Sequence, residues 1–299
     1  MHISVSMIVK NEESCLATAL DSICTADEII VVDTGSTDST VDIARRYTDK
    51  VFTGPEFAWR DDFAFSRNQS LERCTGDWVL IIDADEELEL GGIEKLRSII
   101  SQAGDHKAIM FHTVGRGNTS MHLSQRAFRR CPEIFWQGAI HNHLNISGGY
   151  ASDIQITYGY SKAHRQDPDR ALRILTKELE RNPKAVRETY YLAREYWYRR
   201  NYIVAAKWYS DYLTRATWAP EMADAWLMLS KCLWKMQKQD LARDACLQAI
   251  KINANFKEAQ FFMAEMSGPK NAARWRQIAE TADNSDVLFV RTHTKEMIK

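Results

Sequence analysis

Two short runs of almost unbroken apolar residues, EIIVVD at 28–33 and WVLIIDAD at 78–85, restrict the fold more than anything else in this chain. A strand with one wet face alternates apolar and polar residues. A short β-branched run that is apolar throughout suits a strand covered on both faces, as in a parallel sheet. A third segment, HISVSMIV at 2–9, alternates and is also β-branched. Between these lie ESCLATALDSIC (13–24) and STVDIARRYT (39–48), with apolar residues at helical spacing. Strand and helix in alternation predict an α/β domain. Ligands of such sheets bind beyond the carboxyl ends of the strands. The polar clusters KNEE, DTGSTDST and DADEE each stand at that end of a strand.

Residues 101–160 hold shorter β-like pieces, KAIMFHTV and DIQITYGY, and GRGNTSMH reads as a loop or hairpin tip. Pro168 and Asp169 start a helix, and almost everything after them is helical and rich in Ala and aromatics. This half repeats. Ala193, Tyr196, Ala205 and Tyr209 recur as Ser230, Leu233, Ala242 and Cys246, each 37 residues on, and a degenerate third unit covers 256–281. Small residues at fixed positions let antiparallel helices approach closely. The period is close to that of tetratricopeptide (TPR) repeats with a short insertion. The aromatic stripe is read as core rather than as a cofactor box. Two domains are expected, 1–165 and 166–299.

With 39 basic and 40 acidic side chains in 299 residues the formal charge is −1, which gives no reason to expect nucleic-acid binding or adhesion to an anionic membrane. The six cysteines are scattered without a CxxC pair, as suits a reduced setting. No apolar run reaches the length of a membrane span, and the first residues lack the basic and apolar regions of a signal peptide. A cytoplasmic location is the expectation.

Asp33 ends a strand and is followed by a Gly turn in which Ser36 or Thr37 is a candidate helix cap. The plainer alternative is that Asp33 and Asp38 merely satisfy backbone amides. Neither GxGxxG nor GxxxxGK[ST] occurs, so a dinucleotide fingerprint or P-loop does not account for the turn. DAD at 83–85 is the sharper signal. Read as extended chain, it lets the two carboxylates take separate tasks, one on a sugar hydroxyl and one on a cation. Hard oxygens suit Mg²⁺ or Mn²⁺, which keep several waters and take one or two protein carboxylates plus phosphate oxygens.

These pieces (SMIVKNEE, EIIVVDTGSTDST and FAWRDDFAFSRNQSLERCTGDWVLIIDADEEL) resemble an inverting family 2 glycosyltransferase with the GT-A nucleotide-sugar-binding fold, a Rossmann-like mixed sheet. The continuation, with LSQRAFRR, FWQGAIHNHL and ITYGY before Ala-rich helix pairs, is similar to a bacterial subgroup carrying TPR repeats. The resemblance implies a UDP-sugar donor. It implies that Val9, Lys10, Asn11 and Glu12 hold uracil and ribose and that Asp33 bonds the base. Asp83, with Ala84, would face ribose or sugar, and Asp85 would bind the metal. Arg67 and Asn68 match a position facing the nucleotide-sugar, where an arginine suits phosphate oxygens. A helix-surface arginine is the plainer reading.

Relatives in the subgroup often have His-Glu where this chain has His141-Asn142, and a histidine where it has Thr157. The candidate bases are therefore His141, then His143, then Glu86 or Glu87, with His164 as a further substitute. His141 is also a candidate metal ligand, and Trp136 and Gly138 look like an acceptor-side loop. The acceptor is open between glycan, peptide, lipid-linked sugar and modified nucleic-acid base. The repeats are expected to bind acceptor or partner, or to self-associate. The competing reading is a catalytically inactive GT-A/TPR binding scaffold, motivated by positions 142 and 157.

Overall fold

The computed structural model of the chain describes residues 1–117, 121–159, 161, 167–283 and 285. It forms two compact units, Met1–Arg170 and Ala171–Lys299.

The first unit is built on strands β1 (Ile3–Val9), β2 (Glu28–Asp33), β3 (Val51–Phe52), β4 (Trp78–Ile81), β5 (Glu86–Leu88), β6 (Ala108–Gly115), β7 (Met121–Arg129), the short β8 (Trp136–Gln137) and β9 (His143–Leu144), and β10 (Tyr150–Tyr158). Eight of them make one sheet in the order β3-β2-β1-β4-β7-β6-β10-β5, and β8 pairs with β9 alone. β1 lies parallel to β2 and β4, and β2 to β3. β7 runs antiparallel between β4 and β6, β10 returns parallel to β6, and β5 closes the edge antiparallel to β10. This is a GT-A-like mixed sheet. The helices are α1 (Leu16–Ser22), α2 (Thr40–Ala44), α3 (Phe63–Leu71) and α4 (Gly92–Gln102).

Why the runs at 28–33 and 78–85 are apolar throughout is evident from the two cores. Met7, Val31, Trp78 and Leu80 pack with Leu20 of α1 and Leu96 of α4. Ile30, Val79 and Ile81 point the other way, against Ala64 of α3, Trp136 and Leu144. Each such side chain contributes about 1.5–3 kcal/mol by burial. The polar members of β1 answer to that second face. The Ser6 hydroxyl bonds Ser70 of α3 at 2.8 Å. At the start of β2, Glu28 accepts from the Ser4 hydroxyl, from Thr75 N–H at 2.7 Å and from the Lys50 ammonium at 2.5 Å. Burial pushes the Glu28 carboxyl up, but those donors outweigh it and leave a pKa of about 2.

Two local expectations are corrected. The residue preceding α2 is Ser39, not Ser36 or Thr37, and it makes no side-chain cap. The Ser36 hydroxyl is instead used by the neighbouring loop, accepting Asn11 N–H at 2.9 Å. β4 stops at Ile81, so DAD lies outside the strand.

The second unit is helical, and the TPR-like pairing expected from its repeats is present. After α5 (Arg170–Arg181) come three pairs: α6 (Val186–Tyr198) with α7 (Tyr202–Leu213), α8 (Ala219–Lys235) with α9 (Gln239–Ile252), and α10 (Lys257–Glu265) with α11 (Pro269–Thr281). Ala193, Ala205, Tyr209, Ser230, Ala242 and Cys246 are all fully buried. The Ser230 hydroxyl reaches across to the Ala242 carbonyl at 2.6 Å, which measures how closely the second pair approaches. The insertion in the period is visible too: α8 has 17 residues against 13 in α6, with a proline in its first turn.

The six cysteines are free thiols, and burial pushes Cys74, Cys232 and Cys246 up to about 12, where they are inert hydrophobes. None of the described helices is long and apolar enough to cross a membrane. Enlarging the residue at the closest helix contact tests the packing argument: Ala242→Leu is expected to lower unfolding stability by about 1–3 kcal/mol in a urea titration. An unchanged midpoint would show the contact to be loose.

Candidate active site

Beyond Ile81 the chain turns back on itself. Glu86 N–H donates to the Asp83 carbonyl at 3.0 Å, and Asp83 N–H donates to the Glu86 carboxylate at 2.9 Å. DAD is therefore the body of a reciprocal turn, not extended chain. That turn forms part of the wall of a cavity of about 600 Å³ within the first unit, reached also by Ile8–Glu12, Thr34, Trp59, Phe63, Arg67, Gly115, Arg116, Tyr158, Gly159, Asp167 and Arg170. It opens where the α/β rule puts a ligand, beyond the carboxyl ends of β1, β2 and β4.

The loops after β1 and β2 hold each other rigid. Asn11, at φ +56°, donates its N–H to Ser36 and accepts Thr37 N–H on its side-chain oxygen at 2.8 Å. Glu12 N–H bonds the Thr40 hydroxyl at 2.7 Å, and Thr34 N–H bonds the Val9 carbonyl at 3.0 Å. Asp33 does what its plainer reading said: its carboxylate accepts Gly35 and Ser36 N–H, each at 3.1 Å. It is buried and outside the cavity lining, so its service to a nucleobase is not apparent, and Thr34 takes the facing position.

On the other wall, the Asp62 side chain caps α3 by accepting Phe65 N–H at 2.9 Å. This sets Phe63 and Arg67, four residues apart, toward the cavity. Arg67 Nη2 meets Asp83 Oδ1 at 2.7 Å, and the guanidinium lies 5.0 Å from the Trp136 ring centroid. Asn68 is spent on structure, bonding the Trp136 backbone through both its amide oxygen (2.8 Å) and its amide nitrogen (3.0 Å). Trp136 itself is buried beneath Arg67 rather than lining the cavity. Trp59 stands edge-on to Phe63 with centroids 4.7 Å apart, its indole N–H fixed on Asp61 at 3.0 Å. Arg170 stacks 5.1 Å from the Phe63 centroid.

Electrostatics separates the acids. Asp83 is paired with Arg67. Glu86 is buried and held by both terminal nitrogens of Arg126, at 2.9 and 2.7 Å. Asp85 accepts Ser161 N–H at 3.2 Å, while its backbone carbonyl takes Gly159 N–H at 2.9 Å. Burial, then the charges of Asp83 and Glu12, push the Asp85 carboxyl up to about 6.

The structure therefore gathers Val9, Lys10, Asn11, Glu12, Arg67, Asp83, Ala84, Asp85 and Glu86 around one cavity. It does not bring His141 or His143 there. Both are exposed in and beside the β8–β9 turn, His141 at φ +49°, and neither lines the cavity. Glu86 reaches the cavity, its carboxylate held by Arg126 and by Asp83 N–H. Glu87 is tied to Arg116 at 2.9 Å. His164 lies outside the described residues. Sequence reasoning passed over Thr34, Trp59, Phe63, Arg116 and Arg170. Trp59 and Phe63 carried a signal, being aromatics four apart across a helix start.

The raised Asp85 carboxyl has a consequence for stability. Its favourable contribution is complete below its ordinary value of 3.8 and is lost as pH rises through about 6. Asp85→Asn is expected to stabilise the cation-free protein near pH 7.5 by about 1–2 kcal/mol, allowing for partial exposure. Its melting temperature should lack the decline between pH 4 and 7 expected of the native protein. Parallel pH profiles for the two proteins would refute this.

The model of the family described as glycosyl transferase family 2 matches residues 4–161. A TPR repeat-containing protein of Synechococcus elongatus is 37% identical over 153 residues, 48% of this chain and 36% of the relative. An uncharacterized glycosyltransferase of Rickettsia typhi is 45% identical over 87 residues, 29% of this chain and 28% of the relative. The chain thus spans only about a third of the length of these curated relatives. Among solved structures it is similar to S. aureus TarS 1-349 in complex with UDP-GlcNAc, at 14% identity over 94% of this chain and 91% of that one, with a TM-score of 0.45. The match over residues 4–161 takes in all of the sheet but Ile3 and nearly all of the cavity wall, and on it this chain belongs to glycosyl transferase family 2.

Proposed function

We propose that the protein moves a sugar, with inversion, from a UDP-sugar to an acceptor hydroxyl and that it does so with a bound Mn²⁺ or Mg²⁺. The observation that carries this reading is the gathering of Glu12, Asp83 and Asp85 in one cavity, where burial and then the charges of Asp83 and Glu12 raise the Asp85 carboxyl to about 6. A cation relieves that crowding, and hard carboxylate oxygens are its proper ligands. Among the described residues no group of three or more His, Cys, Asp or Glu could hold a metal ion, so the proposal gives the ion one or two protein carboxylates and leaves its other ligands to a diphosphate and water. Asp85, with Asp83 beside it, would hold the ion, which supplies charge neutralisation as the diphosphate departs.

The chain's own groups have plain tasks in this scheme. The interlocked loop at Val9–Glu12 and Thr34 offers a rigid edge to the nucleoside. Arg67 holds the Asp83 carboxylate in place. Trp59 and Phe63 give an apolar wall on which a sugar ring can lie, and Lys10, Arg116 and Arg170 bring positive charge to the cavity for phosphate oxygens. An inverting transfer needs one base on the acceptor hydroxyl, on the face opposite the leaving group. Glu12, whose carboxylate accepts the Ser161 hydroxyl at 2.5 Å, is the cavity carboxylate we assign to that proton. The helical pairs of the second unit would bind acceptor or partner. A catalytically silent scaffold is the weaker reading, since an acid pushed up by its neighbours serves no packing purpose.

Thermal melts test the donor and metal together. UDP with Mn²⁺ is expected to stabilise the native protein by about 2.7 kcal/mol at a hundredfold excess over Kd. Asp85→Ala should erase the gain. A native protein unmoved by UDP with either metal would retire the reading. Product masses from a panel of UDP-sugars would then separate enzyme from scaffold.

A further inference from the structure

Arg126 stands on β7, immediately before the Ala127 that pairs with Leu80 of β4, and it does not line the cavity. All of its guanidinium nitrogens are nevertheless directed. Nε donates to the Ser124 hydroxyl at 3.1 Å, and that hydroxyl is 2.7 Å from the Thr113 hydroxyl on β6. The two terminal nitrogens grip the Glu86 carboxylate as a fork, at 2.9 and 2.7 Å. The same carboxylate accepts Asp83 N–H at 2.9 Å. A continuous relay therefore runs from β6 through β7 to the backbone of Asp83, while Arg67 holds the Asp83 side chain from the far wall.

The Arg126 and Glu86 side chains are only 15% and 5% exposed. Two charges taken so far out of water are no better for stability than an apolar pair of the same volume. What the pair provides and an apolar pair does not is direction, because a planar fork on a carboxylate admits one orientation. That direction is delivered to the turn carrying Asp83 and Asp85. Resting on the donor reading above, we infer that Arg126 is a positioning residue: acting through Glu86, it fixes this turn and so sets the affinity for the diphosphate and its cation while touching neither.

Calorimetric titration of the full chain with UDP in excess Mn²⁺ tests the inference, well below each variant's melting temperature. Arg126→Lys keeps the charge but replaces the fork by a single contact. It is expected to melt close to the native protein yet bind UDP–Mn²⁺ about tenfold more weakly. Arg126→Met combined with Glu86→Leu removes both charges, leaves none orphaned, and should weaken binding at least as much. Lower melting temperatures with unchanged affinity would make the pair merely structural and overturn the inference. If the double variant fails to fold, Arg126→Lys decides alone. Failure of the native protein to bind UDP–Mn²⁺ would instead remove the donor reading, and this role with it. Native binding matched by both variants would sink the positioning role only.

Discussion

Parallel pairing of β1 with β2 on one side and β4 on the other is the constraint from which the site follows. Parallel strands finish together, about 4.8 Å from their neighbours, so whatever the sequence places after each strand is delivered to one small region. Here it places Glu12 after β1 and Asp83 and Asp85 after β4. Like charges about 5 Å apart at an effective dielectric near 20 repel by roughly 3 kcal/mol. The rest of the first unit can be understood as what is needed to hold such a group of acids together in a folded chain.

The solutions differ from acid to acid, and the difference is informative. Asp83 is given Arg67, and Glu86 is given Arg126, so each is neutralised by a directed guanidinium. Asp85 is treated otherwise: Ser161 supplies a backbone N–H, and no basic side chain pairs with it among the described residues. Amide hydrogen bonds soften the burial of a carboxylate without cancelling its charge. Burial, and then the charges of Asp83 and Glu12, therefore still lift Asp85 to about 6. A fold optimised for stability alone would have placed an amide or a third arginine there. Raised acids of this kind gather where charge is later to be received.

Much of the architecture was legible in the chain because apolar rhythm reports burial directly. EIIVVD became β2 over the same six residues, and Ala205 and Ala242 stood where helices touch. The acid cluster after β4 was legible for the same reason, since a buried strand must deliver its last residues somewhere. What failed was whatever depends on partners distant in sequence. Glu86 reads as a free acid beside DAD until Arg126, 40 residues on, is seen to hold it. His141 reads as a catalytic imidazole because its neighbours resemble a family pattern, and it stands exposed in the β8–β9 turn, outside the cavity lining. Asn68 reads as a ligand contact and is consumed by the Trp136 backbone, 68 residues away. A side chain's chemical type is written locally, whereas the availability of its polar atoms is decided by the fold.

The second unit meets a related problem by related means. Stacked helix pairs with Ala and Ser at their contacts have smooth surfaces, and smooth apolar surfaces slide. Polar contacts between the first helices of successive pairs supply the missing register. Tyr190 of α6 donates its hydroxyl to Asp224 of α8 at 2.5 Å, and Lys231 of α8 meets Glu258 of α10 at 2.5 Å with both side chains under a tenth exposed. Burying these groups costs desolvation that an aliphatic pair would avoid, so stability does not account for them. A contact that is strong at one alignment and costly at every other does account for them, as a single polar residue fixes alignment in a coiled coil. The same physics thus recurs in both units. In each, a buried charge or hydroxyl is placed where the chain needs one geometry rather than the lowest energy.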